Sequence, residues 1–198
     1  FANGLNLANG AVITRNATSW GFTTTGLQRI STPGSATIIN NGSALTAGIS
    51  VGGQTLQIDS GITLQGFTQI NNSNTTTVIN AGTISASGGT FAIFPNTFTN
   101  SGTITVNSGS LSTTVGFATN AGTVNVLPTA TWTTSNSSIA NTGTITNGGT
   151  INLSTGTLTN NGTLKIGSSP GFGNITGNLT LSGSSVLEIE IAGYSRGL

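Results

Sequence analysis

Charge is what this sequence most lacks. Four basic and three acidic side chains amount to 4% of its 198 residues, against roughly a quarter in an average soluble domain. Surface helices lean on such side chains for i,i+4 ion pairs, and the Gly, Thr, Ser and Asn that replace them all disfavour helix. Arg15, Arg29, Lys165 and Arg196 are scattered, so neither a nucleic-acid groove nor a polybasic membrane patch has material. Cysteine and methionine are absent, which excludes a disulfide framework and a thiolate metal site and leaves nothing easily oxidised. Histidine is absent too, and with it any His-based triad or imidazole ligand. No apolar run approaches the ~20 residues of a membrane-spanning helix.

What is there repeats. An apolar-x pair, Asn, a small residue, Gly, Thr and then apolar-x-apolar recur, as in Phe98-Thr99-Asn100-Ser101-Gly102-Thr103-Ile104-Thr105-Val106 and Leu158-Thr159-Asn160-Asn161-Gly162-Thr163-Leu164-Lys165-Ile166. Other copies centre on Asn80, Asn120 and Asn141, with weaker ones at Asn40-Asn41-Gly42 and Asp59-Ser60-Gly61. The glycines of the phrase are Gly42, Gly61, Gly82, Gly102, Gly122, Gly143, Gly162 and Gly183, spaced by 19, 21, 20, 20, 21, 19 and 21 residues. So steady a period is the signature of a repeat architecture.

Each phrase reads as a corner leading into a strand. Gly supplies a positive φ, and Asn tolerates the left-handed region and bonds its own backbone. Beyond the corner Thr103 and Thr105 face one side while Ile104 and Val106 face the other. A second strand is expected at residues 90–94 and 110–113, and a third just before each Asn. Two or three short strands per ~20-residue turn predict an all-β, right-handed parallel β-helix. In that arrangement Asn40, Asp59, Asn80, Asn100, Asn120, Asn141 and Asn160 share one phase, so their side chains are candidates for an axial ladder at the ~4.8 Å strand spacing. Asp59 is chemically the nearest substitute for Asn. A plainer explanation also stands, that Asn simply suits turns.

Two regions strain the pattern. Asn141-Thr142-Gly143-Thr144 is followed six residues later by Asn147-Gly148-Gly149-Thr150, which implies either an additional corner or a shift of register. Residues 1–36 fit the period poorly and read as irregular N-terminal rungs or as a cap, with 37–198 as one continuous solenoid. Phe1 follows no leader-like segment and Leu187-Glu188-Ile189-Glu190-Ile191 is an alternating strand near the other end, so the chain reads as a stretch of a longer one. Leu187, Ile189 and Ile191 are candidates for a strand exchanged between copies.

The Asn-x-Gly-Thr-apolar rungs over 37–166 resemble the β-helical passenger regions of bacterial autotransporters and filamentous-haemagglutinin-like adhesins. The segment Gly167-Ser168-Ser169-Pro170-Gly171, Ile175–Ser184 and Leu187–Gly193 resembles one found late in such passengers. The resemblance implies export from a Gram-negative-type cell and a surface role in adhesion, aggregation or biofilm contacts. It transfers no binding residue. Expected partners are glycans, cell-surface receptors or other copies of the chain, with no cofactor, metal or nucleic acid and no membrane-spanning part. The expected location is extracellular or at the bacterial cell surface.

Some parallel β-helices cleave polysaccharides, and glycoside hydrolysis needs two carboxylates flanking the bond. The only acids are Asp59, Glu188 and Glu190. Asp59 is expected about six rungs, on the order of 30 Å, from the glutamates, and the glutamates share the outer face of one strand. The expectation is therefore a non-catalytic protein. Calcium-binding nonapeptide repeats need an Asp in each repeat, and one Asp in the chain excludes them. An alternative role is the repeating subunit of an extracellular filament. A lesser one is ice binding by the threonine row Thr83, Thr103, Thr123, Thr144 and Thr163, although Thr also suits exposed strands for its own sake.

Overall fold

The computed structural model describes residues 1–190 except 17–18, 43–44, 48–53, 73–75, 114–116, 136–137 and 169–170, and every helix or strand element in the described residues is a strand. A middle turn shows why. Thr97–Asn100, Thr103–Val106 and Gly109–Thr113 are short strands divided by Ser101-Gly102 and Asn107-Ser108, which are turn-forming residues. Phe117–Asn120 then begins the next turn directly over Thr97–Asn100, in parallel. Every strand repeats this placement, so the chain winds into a parallel β-solenoid with three lengthwise sheets. The first sheet follows the Asn-x-Gly corner, the second lies beyond it, and the third leads back to the next corner.

The third sheet gives the register from end to end. Leu5, Ile30, Ile58, Asn80, Asn100, Asn120, Asn141, Asn160 and Leu181 are successive pairing partners, which makes about 8 turns. From Asn80 upward the step stays within a residue of twenty, while Leu5 to Ile30 and Ile30 to Ile58 are longer. Residues 5–31 nevertheless pair in parallel with the turns above them through Leu5–Asn6, Ala11–Arg15, Trp20–Phe22 and Gly26–Ser31. They are long rungs of the same solenoid. Their extra length explains why the twenty-residue phrase fades there.

The second Asn-Gly phrase is the corner from the first sheet to the second, the place taken by Asn107-Ser108 two rungs below, and is neither an extra corner nor a shift of register. Thr144–Asn147 pairs with Thr163–Ile166 without a shift, and Asn147-Gly148-Gly149 carries the chain from the first sheet into Thr150–Asn160 of the second and third.

Alternation within strands supplies the core. On the first sheet Ile38, Leu64, Ile84, Ile104, Val124, Ile145 and Leu164 form one inward column and are all fully buried. On the second, Phe91, Leu111, Trp132 and Ile151 do the same. The third sheet adds Phe98 and Phe117, whose rings lie 4.8 Å apart, with Phe117 5.2 Å from Trp132. The indole N–H of Trp132 donates to Thr113 Oγ1 at 3.0 Å, so the largest side chain in the core leaves no polar atom orphaned.

Trp132 therefore joins two sheets and two rungs. Replacing it with Ala should cost about 3–5 kcal/mol, because neighbours held in register by their own columns have little freedom to collapse into the gap. Denaturant unfolding followed by circular dichroism and tryptophan fluorescence checks this. A loss below 1 kcal/mol would contradict the packing described.

Candidate functional site

The five asparagines from Asn80 to Asn160 meet inside the solenoid. All are buried. Each side-chain amide donates up the axis: Asn80 Nδ2 to Asn100 Oδ1 at 2.7 Å, Asn100 to Asn120 at 2.7 Å, Asn120 to Asn141 at 2.7 Å and Asn141 to Asn160 at 2.6 Å. The same nitrogens reach the carbonyl of the threonine beyond the next corner, as Asn100 does to Thr123 O at 3.2 Å and Asn141 to Thr163 O at 3.2 Å. An amide suits this place because it carries donor and acceptor together and can bond a copy of itself on either side.

The column ends where its neighbours stop being amides. Register places Ile58 beneath Asn80 and Leu181 above Asn160. Asn80 Oδ1 is consequently buried with no hydrogen-bond partner. At the other end Asn160 Nδ2 turns to Gly162 O at 3.0 Å and Val186 O at 3.4 Å.

Asn40 and Asp59 do not belong to this column. Asn40 closes a strand of the first sheet, between Arg15 below and Gly66 above, so Asn40-Asn41-Gly42 is the corner into the second sheet. Asp59 lies one residue past Ile58 and faces outward, where it pairs with Arg29 at 2.9 Å and accepts from Gln57 Nε2 at 2.9 Å. Its corner is wider than those that follow Asn80, Asn100, Asn120, Asn141 and Asn160 in the column. Four residues, 59–62, separate the paired positions Ile58 and Thr63, whereas two separate Asn80 from Thr83. The glycine spacing of 19 and 21 through Gly42 and Gly61 therefore linked corners of different kinds.

Glycine also works differently from the expectation. Gly42 does adopt a positive φ of 86°. Gly82, Gly102, Gly122, Gly143 and Gly162 are not among the positive-φ residues. What they require is closeness: a Cβ on Gly122 would collide with Gly102 O, and one on Gly143 with Gly122 O. Gly61 is similar, facing Gly34 O.

Arg15 and Asn147 are among the buried polar side chains whose burial sequence reasoning did not foresee. Arg15 lies 4.5 Å over the Trp20 ring and donates to Asn40 Oδ1. Burial pushes its pKa down to about 10, so it is charged at neutral pH and is held by a carbonyl oxygen and an aromatic face. Asn147 is fully buried; its Nδ2 donates to Asn174 O at 2.9 Å and its Oδ1 accepts from Gly149 N at 3.2 Å. The out-of-phase Asn-Gly-Gly-Thr phrase was its signal in the sequence. Arg15 stands out in the sequence with Trp20, Phe22 and Arg29 as a distinctive patch within residues 1–36, but nothing there marks it as buried.

The outer faces are hydroxyl and amide rows. Thr37, Thr63, Thr83, Thr103, Thr123, Thr144 and Thr163 form an unbroken column on the first sheet, flanked by Val12 and Val186. The neighbouring column runs Ser85, Thr105, Asn125, Thr146, Lys165 and Glu188, with Lys165 and Glu188 paired at 2.9 Å. Threonines occupy outward positions on the third sheet too, at Thr55, Thr77 and Thr97, so no one face monopolises them. Leu187 and Ile189 continue the inward columns above Leu164 and Ile166, within Val186–Ile189, which pairs in parallel with Thr163–Ile166. Ile191 lies outside the described residues. Among the described residues no group of three acidic, histidine or cysteine side chains is placed to hold a metal ion, and no helix is long and apolar enough to cross a membrane. Comparison with protein-family models, curated proteins and solved structures finds no match to this chain.

The amide column makes its middle and its end unequal. Asn120→Leu removes two amide-to-amide bonds between rungs, leaving Asn141 Oδ1 without its donor and Asn100 Nδ2 without its amide acceptor. Asn80→Leu removes one amide-to-amide bond, orphaning Asn100 Oδ1, and takes away an acceptor that was already unpartnered. Asn120→Leu should therefore be the more destabilising by about 1 kcal/mol or more, measured as the difference in unfolding midpoint at constant denaturant slope. Equal costs would mean that the column is not continuous.

Proposed function

We propose that this chain is a non-catalytic, adhesive shaft at a bacterial cell surface or in the extracellular matrix, a β-solenoid that makes lateral contacts with glycans, receptors or other shafts. The observation that carries the reading is the outer surface, where hydroxyls and amides stand in straight rows at the rung spacing with hardly a charge among them. Such rows offer many weak, repeated hydrogen-bonding positions to a long polar partner, and repetition converts weak contacts into avidity. Polysaccharide cleavage has no comparable support. Asp59 is committed to Arg29 and Glu188 to Lys165, with six rungs, about 30 Å, between the two pairs.

End-to-end assembly is a second reading with its own observation. The last described rung leaves Leu179, Leu181, Leu187 and Ile189 exposed, Ile189 by 61%. That surface suits a further rung, whether from the same chain or from another copy.

The lateral reading makes an unusual prediction about salt. Beads coated with the chain should capture cells or isolated surface polysaccharide, and capture should hardly change from about 0.05 to 0.5 M salt, because no charge pattern is there to be screened. Absence of capture, capture abolished by salt, or release of shortened polysaccharide would contradict the proposal. Fibres seen by electron microscopy with an axial repeat near 40 Å, eight rung steps, would favour the end-to-end reading.

A further inference from the structure

Three successive rungs build a groove where the first sheet turns into the second. It encloses about 480 Å³ and takes three residues from each rung, 129–131, 148–150 and 172–174. The middle rung contributes Gly148 and Gly149, which carry no side chains, and Thr150. Thr131, Thr150 and Asn174 are register partners, so two hydroxyls and an amide line one side at ~4.8 Å steps. Phe172 forms one wall. It is 97% exposed, the most exposed of the large apolar side chains described.

The Phe172 segment is fastened down on its C-terminal side. Asn147 Nδ2 donates to Asn174 O, and Asn174 N donates to Gly149 O at 2.8 Å. A Cβ on Gly173 would collide with Asn147 O, so the backbone beneath the ring is seated against the corner that interrupts the twenty-residue phrase. The opposite wall carries strain. Leu127-Pro128-Thr129-Ala130 is a turn closed by Ala130 N to Leu127 O at 3.1 Å, and Thr129 adopts φ 69°. A β-branched residue is costly there, where Gly or Asn is the usual occupant. Strain retained at the wall of a groove points toward a use for the side chain that imposes it.

We propose that this groove binds a pyranose residue of a neutral glycan, with the apolar face of the sugar on the Phe172 ring and its hydroxyls toward Thr131, Thr150 and Asn174. No charged side chain lines the groove, which leaves nothing to balance a carboxylated or sulfated sugar. Two rung steps span about 10 Å, the length of one or two sugar rings. The assignment rests on the adhesive reading and deepens it by naming the partner's chemistry at one site.

The test is binding of the whole chain to an immobilised panel of neutral, sialylated and sulfated oligosaccharides, with thermal melts of each variant alongside. Neutral oligosaccharides should bind. Phe172→Ala should weaken that binding roughly ten-fold or more while melting as the parent does, and Phe172→Tyr should retain it. Thr129→Gly relieves the backbone, so it should melt no lower than the parent yet bind less. The assignment is overturned if the parent binds no neutral oligosaccharide, if it prefers the charged ones, or if Phe172→Ala binds equally well. Self-association that Phe172→Ala abolishes, with no glycan binding, would give the groove to a second copy and overturn it too. Cell adhesion measured on the same variants separates the two levels. Adhesion kept by Phe172→Ala after glycan binding is lost supports the groove as one site among the faces of the shaft. Panel binding without any cell adhesion supports the groove while overturning the adhesive reading.

Discussion

In a parallel solenoid each residue stands on its own equivalent one turn away, and most of this molecule follows from that stacking. A position must tolerate a copy of itself, or something close, at ~4.8 Å above and below. Aliphatic side chains satisfy this by packing, as in the column from Ile38 to Leu164. A buried polar group satisfies it only if it can bond its own kind. Asparagine can, since its amide accepts on one side and donates on the other, whereas a column of aspartates would set acceptor against acceptor. Asp59 lies outside the column, on the surface, facing Arg29.

The same rule accounts for the scarcity of charge. Like charges repeated at the rung spacing repel by about 1 kcal/mol per pair even in water. The two side-chain ion pairs described, Arg29 with Asp59 and Lys165 with Glu188, each set opposite signs one turn apart. What remains for the outer surface is threonine, serine, asparagine and glutamine. On the adhesive reading proposed above, such a surface associates along its length without electrostatic selection and gains specificity where the repetition is broken. The groove under Phe172 is such a break. It forms where an Asn-Gly-Gly corner, a strained turn and a glycine-flanked aromatic fall on three consecutive rungs.

Much of this was legible in the sequence, though unevenly. The twenty-residue period, the strands after each corner and the inward alternation of Ile104 and Val106 could all be read from residues 80–166, because there one phrase marks one kind of corner. The reading failed where a similar phrase marks a different corner. Asn40-Asn41-Gly42 turns the first sheet into the second, and Asp59-Ser60-Gly61 belongs to a wider turn. Local chemistry is alike at all of these corners, and only long-range register tells them apart. The need for glycine was visible, but its cause was not: at Gly102, Gly122 and Gly143 the obstacle is the carbonyl of a residue some twenty positions away. The burial of Arg15 against Trp20 was invisible for the same reason.

The buried amide column, as the element that fixes one turn on the next, is open to a direct test by side-chain amide proton exchange, observed by NMR on the labelled chain. The Nδ2 protons of Asn100, Asn120 and Asn141 should exchange as slowly as backbone amides in the strands that flank them. Those of Asn125, which faces outward on the first sheet, should exchange at close to the rate of a free side chain. Equal, rapid exchange at all four would mean that the amides are not paired along the axis, and the register would then need another source.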